Sequence, residues 1–375
     1  MKKIMKVNYK VLSLLLLLAF ASCSFTSKKF SNPDKDKLLI QIITFVIEQG
    51  HFDPIAIDDA FSEELFSDFI EVIDPVKRYF YESDYKDFEK YKLTIDDQLK
   101  VSDITFFNVV YERFISRIEE SKSIYKDILS KPFDYSIDES FDTNYENSDF
   151  AKSKRDMKER WRKQLKLQTI DRIQELENLD EEKFKKDPSY KKKYFSSIEK
   201  KAREKVMTSM ENLYIRIDEL EHKDWFSTFL NSVVSAFGPH TTYMPPNIKE
   251  TFDQDMSGKL EGIGARLQKK GIYTHVVELV SGGPAWKQGK LEEGDIILKV
   301  TQENADPVDI VGMRLDDAIK FIKGPKDTKV TLSVKKKIDG TTKDITITRD
   351  IVQLDETFVK SSVVLKDGKS LVLLI

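Results

Sequence analysis

The sequence predicts an α+β protein. A mostly helical N-terminal domain covers about 36–245. A small β-barrel-like module with one helix follows over 247–350, and the first strands of a further, incomplete core occupy 351–375. Three observations carry this division. Apolar residues recur at helical spacing up to about residue 237. A segment rich in Gly and Pro, Ala236 to Pro246 (AFGPHTTYMPP), then breaks the pattern. Beyond it, YTHVVELV, DIILKV, KVTLSVKKK and TKDITITRD read as short strands. A chain of 375 residues is long for one core, so two to three domains are expected. Hydrophobic content of 40% with 33% charged residues fits a folded globular chain rather than disorder. The net charge of −3 argues against nucleic acid as a partner.

Taken in order, the chain opens with an export signal. Lys2, Lys3 and Lys6 form a positive region, and Val11 to Phe20 is an apolar run too short to span a bilayer. Cys23, the one cysteine, follows small residues and cannot form an internal disulfide. It resembles the acylated Cys of bacterial lipoproteins, with Phe20 where Leu is more common, so residues 1–23 read as a lipoprotein-type signal peptide. A plain secretory signal is the alternative. Residues 24–35 are polar and read as a tether.

Helices follow. Leu39, Ile42, Ile43 and Val46 repeat at helical spacing, with Gly50 suited to the position after a helix end. Phe61, Leu65, Phe69 and Ile73 share a face, ended by Pro75. Ile104, Phe107, Tyr111, Phe114 and Ile118 share another, which Ser102 or Asp103 can cap. Met157, Trp161 and Leu165 mark a helix within 150–180, and two more are expected at 207–221 and 224–237. Residues 181–205 carry ten Lys or Arg against five Asp or Glu. That is a solvated face with ion pairs, or a phosphate-binding stripe. The 236–246 segment reads as a rigid hinge, although His240, Thr241 and Thr242 could serve a site. In the second module, Asp339–Gly340 is a hairpin signal, and RLDDAIKFIKG is one short helix ending at Gly324. SSVVLKDGKSLVLLI reads as strand, turn and strand.

Several chemistries lack their residues. GIGARL has Leu267 where a dinucleotide fingerprint needs its third glycine, and Pro284 stands where a phosphate loop needs its first. The histidines, His51, His222, His240 and His275, include no i,i+4 pair, so no metal site is expected, and nothing calls for a cofactor. There is no G-x-S-x-G nucleophile elbow.

One loop does suggest a ligand. Gly262 and Gly264 flank Ile263, so the backbone N–H groups there can turn outward to grip a carboxylate. The stretch Gly262, Ile263, Gly264 and Ala265 resembles the loop of PDZ domains that receives a peptide C-terminus. A bulged strand in an ordinary barrel is the bland alternative. In the PDZ mode a peptide adds as a strand, and Leu315, Ile319 and Ile322 of the short helix are candidates for its apolar pocket. Core packing is their alternative.

Order and wording together resemble one family. FGPHTTYMPP, GKLEGIGARL, SGGPAWKQGKLEEGDIILKV and VDIVGMRLDDAIKFIKGPKDTKVTLSVKK are similar to the tail-specific, or carboxy-terminal processing, serine proteases of the bacterial periplasm. DPVKRYFYESDY, FDYSIDESF and MKERWRKQLKLQTIDRI are similar to the helical N-terminal domain of its larger members. The resemblance implies a serine-type endopeptidase that takes protein C-terminal tails through its PDZ domain and cleaves with a Ser–Lys dyad. No residue here matches that dyad, so no catalytic residue is assigned, and residues 351–375 are expected to begin a protease core that the chain does not complete. A non-catalytic periplasmic lipoprotein adaptor for C-termini is the alternative. In either case the partners are protein tails and, through the lipid on Cys23, a membrane.

Overall fold

The computed structural model describes residues 33–375 apart from 146–147, 258, 304, 354–360, 367–368 and 375. The expected signal peptide, Cys23 and the tether as far as residue 32 lie outside the described residues. The architecture is α+β, in two compact units that divide between Tyr243 and Met244. The break expected at 245–247 thus comes slightly earlier.

The first unit is helical. Its elements are α1 (Pro33–Gly50), α2 (Asp59–Ile73), α3 (Glu82–Phe88), a 3-10 turn (Glu89–Tyr91), α4 (Ile95–Lys100), α5 (Thr105–Leu129), α6 (Lys154–Lys186), α7 (Phe195–Glu219) and α8 (His222–Ser235). Helix α2 starts where Asp58 Oδ1 accepts from the Ala60 and Phe61 N–H groups, and it buries Phe61, Leu65, Phe69 and Ile73 as its spacing predicts. Phe69 and Phe107 meet α8 through Phe229 and Phe226, with ring centroids 5.0–5.1 Å apart. Trp161 is fully buried, and its Nε1 donates to the Arg78 carbonyl at 3.0 Å. Asp103 Oδ1 accepts from the Thr105 N–H at the start of α5.

Two helices differ from expectation. In α1 the buried apolar side chains are Ile40 and Ile47, with Leu39 and Ile43 partly buried against the same core, whereas Ile42 and Val46 are about half exposed. Two apolar stripes run along this helix, and periodicity alone does not say which faces the bundle. Helix α7 begins at Phe195 rather than 207, because Ile198, Ala202 and Val206 carry its inner face within the lysine-rich stretch. Some of the charges there form surface ion pairs, such as Lys192–Glu181 and Lys205–Glu175.

The expected hinge is tied to the helical unit at its first half. The Thr241 hydroxyl lies 2.9 Å from His51 Nε2, and the Asn231 side chain bonds both the N–H and the C=O of Tyr243. His240 is exposed. Pro246 does not merely stiffen the chain. It is the first residue of α9 (Pro246–Ser257), where its fixed φ and missing N–H are tolerated.

The second unit holds α9, β1 (Lys259–Gly262), β2 (Ala265–Lys270), β3 (Tyr273–Leu279), α10 (Pro284–Gln288), β4 (Ile296–Gln302), β5 (Val308–Asp309), α11 (Leu315–Ile322), β6 (Lys329–Lys335), β7 (Thr342–Thr348) and β8 (Asp350–Gln353). The main antiparallel sheet has the order β2-β3-β4-β6-β7, with β5 on β4. Strands β6 and β7 pair Lys335 with Thr342 around a turn in which Gly340 has φ +69°, so the Asp339–Gly340 signal is a hairpin turn. Strand β8 pairs with β1, Gly262 opposite Asp350. A boundary at 350/351 therefore falls inside a strand, and 350–353 continue the module. Beyond it β9 (Ser361–Lys366) and β10 (Lys369–Leu374) form an antiparallel pair. Among the described residues no helix is long and apolar enough to cross a membrane, and no cluster of His, Cys, Asp or Glu is placed to hold a metal ion.

Candidate functional site

The residues singled out in the sequence converge on one end of β2. Strand β2 lies at the edge of its sheet, with β3 on one side, and α11 packs beside it. An edge strand presents unpaired N–H and C=O groups along its free side, which an extended peptide can complete.

Gly262, Ile263, Gly264 and Ala265 form the passage from β1 into β2. Gly264 has φ +71°, a conformation that favours glycine. A Cβ there would also stand 3.1 Å from the Gly283 Cα and 3.3 Å from the Pro284 Cδ. Gly262 differs: it has no positive φ, and a Cβ there would meet the Lys323 Cα at 3.9 Å, an ordinary contact, so neither conformation nor space demands glycine. Ile263 is 3% exposed and anchors the loop in the module core.

The loop is tied down on its carbonyl side. The Ile263 carbonyl accepts from the Ala285 N–H and the Gly264 carbonyl from the Val280 N–H, both at 2.9 Å. Among the described residues the N–H groups of Ile263 and Gly264 donate to no protein acceptor. Two successive amides without protein acceptors, on a loop whose carbonyls are fixed, are an arrangement able to accept an anion.

Helix α11 divides the three expected pocket residues. Ile322 is 3% exposed and belongs to the core with Ala318, Val330 and Leu332. It is a packing residue rather than part of the groove wall. Leu315 and Ile319 remain partly exposed and lie outside that core cluster. Ala265 and Leu267 of β2 are partly buried against that core.

Sequence reasoning missed Lys323. It ends α11 and lies against Gly262, and its Nζ donates to Gln254 Oε1 of α9 at 2.8 Å. Its ammonium is held by a neutral amide oxygen and pairs with no carboxylate among the described residues, while its Cα and Cγ stand beside Gly262. No local pattern marks this lysine, because its position depends on the closure of α11 onto β1. Gly324 lies just past the end of the helix, where the sequence placed it. It has no positive φ, and its small size instead leaves room for the Arg349 guanidinium, 2.9 Å from a Cβ at that position.

Arg349 is 2% exposed. Its Nε donates to the Ile322 carbonyl at 2.8 Å, and Nη2 donates to Gln302 Oε1 at 2.8 Å and the Phe321 carbonyl at 3.1 Å. Nη1 donates to Thr328 Oγ1 at 2.9 Å and the Lys329 carbonyl at 3.4 Å. Burial pushes its pKa down. A second buried cation in the module is Lys336. Its Nζ lies 2.6 Å from Asp295 Oδ2 and 2.8 Å from Glu292. Burial alone would lower its pKa, but the hydrogen bonds to Asp295 and Glu292 outweigh that and hold it above the usual value.

Both units are similar to known proteins. Residues 43–247 match the family model described as the tail specific protease N-terminal domain, and residues 253–335 match that of the PDZ domain. The chain is 28% identical over 340 residues to the tail-specific protease of Haemophilus influenzae, covering 90% of this chain and 46% of that protein. It is 32% identical over 126 residues to the carboxy-terminal processing protease CtpA of Bacillus subtilis, covering 34% of this chain and 26% of that one. The chain thus spans less than half the length of these relatives. The PDZ domain of a carboxy-terminal protease from Vibrio cholerae, solved with a peptide, is 49% identical, with 26% of this chain and 99% of that one covered and a TM-score of 0.25.

Proposed function

Because this chain belongs to the tail-specific protease family, we propose that its PDZ domain captures the C-terminal tails of protein substrates for a serine-type endopeptidase. The arrangement at the end of β2 carries this reading. A tail would add along the free edge of β2. Its terminal carboxylate would accept from the Ile263 and Gly264 N–H groups, with Lys323 turning from Gln254 to meet it. Its last side chain would fill the surface between Leu315, Ile319 and Leu267. Each feature selects a different property: an extended backbone, a free chain end and an apolar residue there. The cleavage step is assigned to no residue among these 375, so the proposal concerns recognition. A non-catalytic adaptor for C-termini would use the same groove.

We further propose that the chain is exported to the bacterial periplasm and held at a membrane by lipid on Cys23. The lysines at 2, 3 and 6, the apolar run to Phe20 and the small residues before Cys23 support this. Mass analysis of the mature N-terminal peptide tests it: an unmodified Cys23, or an uncleaved Met1, would contradict it.

The recognition reading is tested by titrating one apolar-ended peptide as its free acid and as its C-terminal amide. Charge-assisted hydrogen bonds of about 1.5–3 kcal/mol make the acid roughly tenfold or more tighter. Lys323→Met should remove a large part of that preference. Equal affinity for acid and amide would refute capture of chain ends.

A further inference from the structure

The carboxylate site has two halves from distant parts of the chain, the loop at Gly262–Gly264 and the ammonium of Lys323. Arg349 stands behind both. Its guanidinium binds the carbonyls of Phe321 and Ile322, the last two residues of α11, immediately before Lys323. The next residue in the chain, Asp350, pairs with Gly262 in the β1–β8 ladder. One residue therefore sets the end of the groove helix and, through its neighbour, the strand that leads into the loop.

The chemistry of Arg349 is unusual for a purely structural group. It is almost fully buried, yet every acceptor it uses is neutral: three carbonyls, the amide oxygen of Gln302 and the hydroxyl of Thr328. Among the described residues no carboxylate lies within ion-pair distance of it. Burying a cation without an opposite charge is costly, and an apolar side chain of similar size would pack there at lower cost. The geometry of the guanidinium explains its presence better. A planar fork with five N–H groups can hold two successive helix carbonyls, a strand side chain and a loop at once, which neither Lys nor Met can do. Gln302 reinforces the arrangement, since its Nε2 also donates to the Phe321 carbonyl. Gly324 is the residue that admits the guanidinium.

We propose that Arg349 is a positioning residue for carboxylate recognition: it holds Lys323 against Gly262, so the preference for a free chain end depends on it although it touches no ligand. This rests on the recognition reading above. Its signature is selective. Losing the clamp lets the end of α11 drift from the loop, which weakens the grip on the carboxylate. The apolar wall of Leu315 and Ile319, up to two turns earlier in α11, is left in place.

The test uses the full chain and the same peptide as acid and amide, with wild type, Arg349→Lys, Arg349→Met and Gln302→Ala. Gln302→Ala removes one acceptor at the edge of the site and is the milder change should Arg349→Met not fold. The expected result is a fall of about tenfold in the acid-over-amide preference for Arg349→Met, with affinity for the amide changed by less than about twofold. Arg349→Lys and Gln302→Ala should be intermediate. If all folded variants keep the wild-type preference, or lose acid and amide binding by the same factor, Arg349 is packing only and the inference is wrong. A wild-type chain that binds acid and amide alike overturns the recognition reading, and this inference with it.

Discussion

Ile319 and Ile322 are three residues apart on α11, and substituting each with Ala should separate binding from folding. Ile322 is in the module core at 3% exposure, so Ile322→Ala should cost about 2–5 kcal/mol of stability. Ile319 stands outside that core and keeps part of its surface in solvent. Fully burying an Ile is worth about 1.5–3 kcal/mol, and roughly a third or less of this side chain remains for a tail to cover. Its share of binding is then at most about 0.5–1 kcal/mol, up to a two- to fivefold loss of affinity on truncation to Ala. Leu315→Ala should behave alike, and the double variant should lose up to about five- to thirtyfold if the effects add. Fluorescence anisotropy with a labelled apolar-ended peptide reads the affinity, and urea unfolding reads the stability. The groove face of α11 is refuted if Ile319→Ala leaves affinity unchanged while costing as much stability as Ile322→Ala. That result would make the helix a core element with no groove face.

Other predictions follow from buried charges and the glycine loop. Lys336→Met leaves Asp295, fully buried, without its ion partner, and should destabilise the module by about 3–5 kcal/mol in urea unfolding. Because the folded pKa of Lys336 is raised, its contribution is present below the unfolded lysine value and is lost as pH rises through the folded one, so wild type and variant should converge at high pH. In the helical unit, burial alone would raise the Asp84 pKa, but Arg117 at 2.8 Å, the Tyr81 N–H and Arg113 lower it. Its contribution is therefore full above the unfolded carboxylate pKa of about 4 and lost as pH falls through the folded value; Asp84→Asn should lower stability at neutral pH and flatten the acid side of the curve. Gly264→Ala forces a left-handed conformation on Ala and a 3.1 Å approach to Gly283, about 1–3 kcal/mol of strain, and should weaken the acid peptide more than the amide.

Much of this fold was legible because the signals were local. Phe61, Leu65, Phe69 and Ile73 form a single stripe with a cap before it and Pro75 after it, so α2 needed no tertiary information. Strands β3, β4, β6 and β7 likewise carry β-branched residues between turn glycines. Helix α1 was ambiguous because it is apolar on two sides, and only packing against the bundle selects Ile40 and Ile47 over Ile42 and Val46. The start of α7 was hidden by lysines, although Ile198, Ala202 and Val206 had helical spacing. At the groove, the glycine loop and the helix were readable as separate parts. Their joint chemistry was not. Lys323 reaches Gly262 only after some sixty residues of intervening fold have closed, and Arg349 finds its acceptors on four different segments. Gly324 shows the same limit: its place after a helix suggested a backbone role, whereas its function is to leave space for a side chain.

The most direct test of chain-end capture is to follow the backbone amide signals of Ile263 and Gly264 by NMR while adding the peptide. The free acid should move both amide protons strongly downfield, as hydrogen bonds to a carboxylate form, and the C-terminal amide should move them little. Signals at Ile263 and Gly264 that respond equally to both peptides, or to neither while the peptide binds, would contradict the account.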